Sequence, residues 1–293
     1  MQVFITGGTG LIGSAVIPEL LAGGHSVVAL ARSDASAATA ESFGATVVRG
    51  DLTNLDAIRT ASADADGVIH LAFGNDFSTQ ESLVQNIAEE TAAIDTIVAA
   101  LTGSDRPFVV VSGTPSAEGR PSVETDPLPT VGPVGGRAVT VDRALAAASR
   151  GIRTASVRLP RTVHKDGQGG FAGLLTNFAR QSGAVAYPGT GEQRWPAVHA
   201  LDAATLFRLV LENAERGTAW HAVQDEGDTV RSIAEVIGRR LRLPVQQAPV
   251  EAFGPIGPVF AADQPSSSAH TRETLGWEPT HARLLDDLEL LEP

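Results

Sequence analysis

The sequence contains no cysteine, a single lysine (Lys165) and a single tyrosine (Tyr187). Without cysteine there is no disulfide framework, no thiol nucleophile and no cysteine-ligated zinc. With one lysine and one tyrosine, 22 residues apart and the lysine first, no helix can carry the two on adjacent turns. Basic residues are outnumbered, 22 against 34 acidic, for a formal charge of −12. That balance argues against a nucleic-acid partner and disfavours an anionic membrane surface. No uncharged apolar run reaches the roughly 18 residues of a membrane span. The first apolar stretch, Gln2 to Thr6, has no positive flank and no small-residue cleavage site, so a cytoplasmic protein acting on a small molecule is expected. The seven histidines show no zinc-ligand spacing, and no metal is expected.

What is present suits a sizeable core. At 293 residues and 43% apolar, the chain can bury about 75% of its unfolded surface. Short apolar, β-branched runs recur at Val3–Thr6, Ser26–Leu30, Thr46–Val48, Val68–Leu71, Phe108–Val111 and Thr154–Arg158. Near-continuous apolarity marks strands covered on both faces. Helical stretches lie between them at Leu11–Ala22, Asn54–Ser62, Thr79–Leu101 and Val134–Ser149. This alternation predicts an α/β fold with a doubly wound parallel sheet of Rossmann type. Two more helices are expected at Ala200–Asn213 and Ser232–Leu241, and a returning strand near Ala219–Val223. The glycine cluster Asp166–Gly170 reads as a mobile loop. The expected division is a dinucleotide-binding lobe over residues 1–165, with return segments at about 196–224, and a smaller, loop-rich substrate lobe over residues 166–293.

Thr6-Gly7-Gly8-Thr9-Gly10-Leu11-Ile12-Gly13 follows the first strand and opens the first helix. Glycines here permit a tight turn and close backbone approach to a diphosphate, and the helix N-terminus adds free N–H groups. Gly7, Thr9, Gly10, Leu11, Ile12 and Gly13 are therefore candidate cofactor contacts. An NAD-binding chain closes its second strand with an acid that holds the ribose hydroxyls. Here that position is Ala31, followed by Arg32 and Ser33, which suit a 2′-phosphate. NADP(H) is expected over NAD(H), with Asp34 the counter-argument. Asp51-Leu52 closes the third strand, where Asp51 can accept from the adenine or cap the next helix. His70-Leu71-Ala72-Phe73 closes the fourth. Leu71, Ala72 and Phe73 can line the cofactor, and His70 reads as a packed structural residue.

With these segments the chain resembles the extended short-chain dehydrogenase/reductase superfamily, the NAD-dependent epimerase/dehydratase family. The resemblance also rests on Val109–Thr114, Val157-Arg158-Leu159-Pro160, Trp195–Ala203 and Leu275-Gly276-Trp277-Glu278-Pro279. It implies a Ser/Thr after the fifth strand and Tyr-x-x-x-Lys on the next helix. Carried onto Gly132–Leu145, the pattern puts Val134 in place of the tyrosine and Ala138 in place of the lysine. Arg137 is adjacent, but a guanidinium stays protonated and is no ordinary acid. Ser112 and Thr114 remain as hydroxyl donors, or as turn-stabilising residues. The resemblance carries Pro160 and Arg161 past the nicotinamide. Imidazole side chains titrate near neutral pH in water, and His164 is the candidate replacement acid. Phe73, Phe171, Phe178 and Trp195 are candidates for an apolar wall, or for simple core. Arg194 can take an acidic substrate group, or is a rim charge.

The expected function is an NADP(H)-dependent oxidoreductase that reduces a small, largely apolar carbonyl or imine compound without the Tyr/Lys pair. An iminium arrives already protonated, which lessens the need for an acid. The alternatives are a nucleotide-sugar epimerase or dehydratase, and a non-catalytic NADP-binding sensor or scaffold. A homodimer through the helices around 79–101 and 134–149 is the expected assembly.

Overall fold

The structure, a computed structural model, describes residues 1–74, 79–131 and 135–292. Strands and helices alternate as β1 (Gln2–Thr6), α1 (Gly13–Ala22), β2 (Ser26–Ala31), α2 (Asp34–Ser42), β3 (Thr46–Arg49), α3 (Leu55–Asp64), β4 (Gly67–His70), α4 (Gln80–Leu101), β5 (Pro107–Gly113), α5 (Gly135–Ala146) and β6 (Arg153–Leu159). There follow β7 (Thr162–His164), α6 (Gly170–Ser182), β8 (Val185–Pro188), β9 (Arg194–His199), α7 (Ala200–Asn213), β10 (Thr218–His221), β11 (Asp225–Thr229), α8 (Val230–Leu241) and β12 (Val245–Ala248). Three short helices close the chain: α9 (Gly257–Ala261), α10 (Ala269–Leu275) and α11 (Leu284–Leu288).

Seven strands form one sheet in the order β10-β6-β5-β4-β1-β2-β3. Strands β3, β2, β1, β4 and β5 pair in parallel. Val3, Phe4 and Ile5 are each 0% exposed, because helices cover both faces. The strand order reverses between β1 and β4, which opens a crevice at their carboxyl ends. The expected returning strand is β10 at the sheet edge. Helix α2 escaped the sequence reading because its apolar stripe consists of alanines and only Ala40 is buried. What starts it is local: Ser33 accepts from the Ser36 amide in a reciprocal capping box.

By compactness the chain divides into an N-terminal unit (1–112, 128–158, 204–220) and a C-terminal unit (113–127, 159–203, 221–293). The C-terminal unit holds a three-stranded sheet, β11-β9-β7, and a parallel pair, β12-β8. Helix α8 buries Val230, Ile233, Ala234, Ile237 and Leu241, a stripe at helical spacing. It packs in a core that includes Trp195, Phe260 and Leu175.

The cluster Asp166–Gly170 is not the mobile loop that glycine content suggests. The amides of Asp166 and Gly167 donate to the Asp287 carboxylate at 3.1 and 2.9 Å, and Gly170 begins α6. The pinning residue is 120 positions away, beyond any local rule. The two late sequence segments clasp each other. Asp202 accepts from the Thr280 and His281 amides, and its carbonyl accepts from the Trp277 indole. That explains their joint presence structurally.

Candidate functional site

In the N-terminal unit, β1 delivers Thr6 to the carboxyl edge of the sheet. Its hydroxyl lies 2.9 Å from His70 Nδ1 and accepts from the Ala72 amide at 3.2 Å. His70 is 1% exposed, and burial drives its pKa down to about 3. It is a neutral tie between β1 and β4. Gly7 has φ +71°, and a Cβ there would lie 2.7 Å from the Ala72 nitrogen. A Cβ on Gly13 would strike the Gly7 carbonyl. Both glycines are demanded by the protein itself. Gly10 is different: it is exposed, and a Cβ there would meet nothing nearer than the Gly7 carbonyl at 3.6 Å. The space in front of Gly10 suits a close-lying diphosphate, and α1 begins without a side-chain cap or an acid in its first turn. Thr9, Leu11 and Ile12 complete the loop, with Gly10 and Leu11 exposed.

At the end of β2, Ala31 is buried and Arg32 and Ser33 are exposed. Asp34 is paired with Arg49 at 2.7 Å, which counters its use on a ribose. Arg32 makes no hydrogen bond or ion pair among the described residues. With Arg49, Arg59, Thr53 and Asn54 it lines a cleft beside the ends of β2 and β3. Asp51 does not cap α3. Its carboxylate accepts from the Thr53 hydroxyl and amide, which hold it below the ordinary carboxylate range, and Asn54 stands at the cap position. Leu52, Leu71, Ala72 and Phe73 are partly buried.

Ser112 is 7% exposed, and its hydroxyl is 2.9 Å from that of Ser156 on β6. Val134 lies outside the described residues, and Ala138, on α5, is 6% exposed. One position earlier, Arg137 binds Glu90 with two hydrogen bonds, 2.8 Å from Nε and 2.7 Å from Nη2. Its guanidinium sits 4.0 Å above the Phe73 ring. The helix therefore presents a fixed cation beside the end of β4, although it has no lysine.

The C-terminal unit carries the other candidates. Thr114 is 5% exposed, and its hydroxyl has no hydrogen-bond partner in the structure. Pro160 and Arg161 follow β6. Arg161 lies 5.0 Å over the Phe171 ring, and burial lowers its pKa to about 10. His164 is 1% exposed. Its Nδ1 is 2.9 Å from Asp287 Oδ2, and its Nε2 has no partner. Burial works against the Asp287 charge, but His164 and the Gly167 amide outweigh it and hold its pKa low. Edge-on to His164 at 5.4 Å is His199, which stacks on His281 at 4.9 Å. Burial pushes Asp228 up to about 6, with the Asp225 charge adding to the effect.

Of the expected wall, Phe171 and Trp195 meet edge-to-face at 5.5 Å, and Phe178 joins them through Phe260. Phe73 belongs to the N-terminal unit, under Arg137. Arg194 is taken by Asp263, which accepts from its Nη2 at 2.8 Å. Among the described residues, no group of three or more His, Cys, Asp or Glu is disposed to hold a metal, and no helix is long and apolar enough to cross a membrane.

Sequence reasoning missed Arg49, Arg59, Glu90, Asp228, Phe260 and Asp287. Glu90, Asp228, Phe260 and Asp287 act through partners distant in sequence or through burial, which leave no mark in the linear pattern, and Arg49 and Arg59 join Arg32 only in the folded cleft.

The glycine loop, the switch point and the sheet define an α/β protein of Rossmann-like fold. Residues 3–224 match the NAD dependent epimerase/dehydratase family, and the chain belongs to it. An uncharacterized protein of Schizosaccharomyces pombe is 40% identical, with 98% of each chain covered. Another, from Saccharomyces cerevisiae, is likewise 40% identical over 98% of each. In fold the chain is similar to a dTDP-glucose 4,6-dehydratase of Streptomyces venezuelae with NAD bound, at TM-score 0.80 and 18% identity, covering 99% of this chain and 95% of that one.

Proposed function

We propose that the protein is an NADP(H)-dependent reductase of a small, largely apolar carbonyl or imine compound. The observation that carries the cofactor choice is the arginine-lined cleft beside β2, a strand with no acid at its end. Arg32, which makes no hydrogen bond or ion pair among the described residues, is the group for the 2′-phosphate. Arg49 and Arg59 are already paired with Asp34 and Asp56 and add field rather than a free fork.

The bound nicotinamide supplies or accepts a hydride. The chain does the rest. Its glycine loop and the start of α1 grip the diphosphate. Arg137, locked on Glu90, offers its remaining N–H groups where negative charge develops on an oxygen. Thr114 contributes an unpaired hydroxyl. His164 is the proposed proton source through Nε2, which has no partner but is closed to solvent in this structure, so the role requires the substrate to reach it. A ketone takes the hydride at carbon and the proton at oxygen. An iminium needs only the hydride, so the absent phenol matters less.

The test is direct. Purified protein is titrated with NADPH and NADH, then NADPH consumption is followed over a panel of ketones and cyclic imines. Tight NADPH binding with turnover supports the reading. Tight binding with no turnover across the panel favours a sensor instead. Family membership favours a second reading, a nucleotide-sugar epimerase or dehydratase. Calorimetry with dTDP-glucose and UDP-glucose decides it. We also propose a homodimer through α4 and α5, to be read from the solution mass.

A further inference from the structure

Arg161 is a half-buried cation without an anion. Among the described residues, no carboxylate or carbonyl accepts from its guanidinium, and its Nε is sealed from solvent without a hydrogen bond. Its one neighbour of note is the face of Phe171, 5.0 Å away. Burial lowers its pKa to about 10, as expected for a cation taken from water. A buried guanidinium is normally paired, because leaving it unpaired forfeits hydration with little in return. A ring face offsets part of that loss.

The arrangement is built, not incidental. A Cβ on Gly170 would lie 2.5 Å from the Thr162 Cα, so a glycine is required for α6 to start against β7. The Phe171 amide then donates to the Arg161 carbonyl at 3.2 Å, which fixes the ring beneath the guanidinium. The first turn of α6 brings no acid. Phe171 continues into Trp195 at 5.5 Å and Phe260 at 5.3 Å. A lone cation thus borders the half-buried ring of Phe171, behind which Trp195 and Phe260 are wholly buried.

We infer that Arg161 is the anchor for a carboxylate on the substrate, with the partly exposed ring of Phe171, backed by the buried Trp195 and Phe260, meeting the apolar remainder. The ring covers one face of the guanidinium, which leaves its plane for a planar, two-oxygen partner. The substrate class is an aryl or alkyl oxo acid or imino acid rather than a neutral ketone. This deepens the reductase reading and rests on it for the reaction, though not for the binding. The competing source of an anion is the phosphate of the dinucleotide.

The probe is 3-phenylpropanoate, with 3-phenylpropanamide as its uncharged twin. Neither is reducible, so binding is read without turnover. Calorimetry is run on wild type, Arg161→Gln and Arg161→Met, with and without NADP⁺. The expected result is a preference of about tenfold or more for the carboxylate, lost in both variants, as for a hydrogen bond to a charged group. NADPH affinity should stay within about threefold. The ligand-free Arg161→Met protein should melt no lower than wild type, because an unpaired charge has been removed. Equal binding of the two probes, or binding of neither, overturns the assignment. So does a loss of NADPH affinity in the variants, which would give the anion to the cofactor. A large drop in melting temperature for Arg161→Met would make the arginine structural and also overturn it. Carboxylate binding with no reductase activity on phenylpyruvate would keep this site and sink the reductase reading alone.

Discussion

Arg137 lies over the ring of Phe73 while two of its nitrogens hold the carboxylate of Glu90, which is 1% exposed. Burial raises the Glu90 pKa, and the guanidinium opposes that rise by bonding to the charged form. The pair joins α4 to α5, as do Thr91 and Thr140, whose hydroxyls are 2.7 Å apart. A helix with alanine in the family's lysine position thus keeps a positive charge one residue away.

Breaking this pair should cost stability before it costs chemistry. Arg137→Ala leaves a carboxylate buried and unpaired, and a loss of about 3 kcal/mol is expected in urea unfolding. Glu90→Gln with Arg137→Met should recover most of it, since neither charge remains. A single variant as stable as wild type would contradict the coupling.

Gly10 separates ligand demands from folding demands. Gly13→Ala should fail to fold properly, because its Cβ strikes the Gly7 carbonyl. Gly10→Ala has room within the protein, so its melting temperature should match wild type within about 2 °C. Dinucleotide affinity should nonetheless fall about tenfold or more, since the new methyl stands where backbone and diphosphate meet. Unchanged affinity would mean the loop grips nothing.

The cofactor choice turns on Arg32. Arg32→Asp should weaken NADPH about a hundredfold and NADH by less than about threefold, because only the former has a 2′-phosphate to lose. Fluorescence titration of both reduced cofactors reads this. Equal losses would remove the 2′-phosphate from this position.

His70 sets an acid limit. Its folded pKa, about 3, lies below the unfolded value of 6.5. The group therefore contributes stability that is complete above pH 6.5 and is lost as pH falls from there toward 3. Between pH 7 and pH 5 the wild type should lose about 2 kcal/mol through this group. His70→Gln should show a flatter acid limb in urea unfolding over that range. The same slope in both proteins would show that the buried imidazole is not the cause.

His164 should matter unequally between substrates. His164→Gln should depress turnover of a neutral ketone by about a hundredfold and of a preformed cyclic iminium by far less. Equal losses would point to a positional rather than a proton-passing role. The measurement is kcat for each substrate at fixed NADPH.

The strands could be read from sequence because a strand covered on both faces must be apolar throughout, and Val3 to Ile5 are. Their limits in the structure extend the expected ones by a residue or so, as with Ser26–Ala31 and Pro107–Gly113. Helix α2 was illegible because alanine carries too little apolar contrast to show a period. Helix α6 was hidden by the glycines that allow it to begin, since glycine reads as loop unless the close approach to Thr162 is known.

By itself, the sequence determined the alternation of strand and helix, the glycine turn after β1, the absence of an acid at Ala31 and the absence of the Tyr/Lys pair. These are local matters of residue type and order. Only the tertiary structure decided that Glu90 holds Arg137, that Asp287 holds both His164 and the Gly167 amide, and that Arg161 has no acid partner among the described residues. Charge is visible in a sequence, but its pairing depends on which distant segments burial brings within about 3 Å of each other. The sequence gives no coordinate for that.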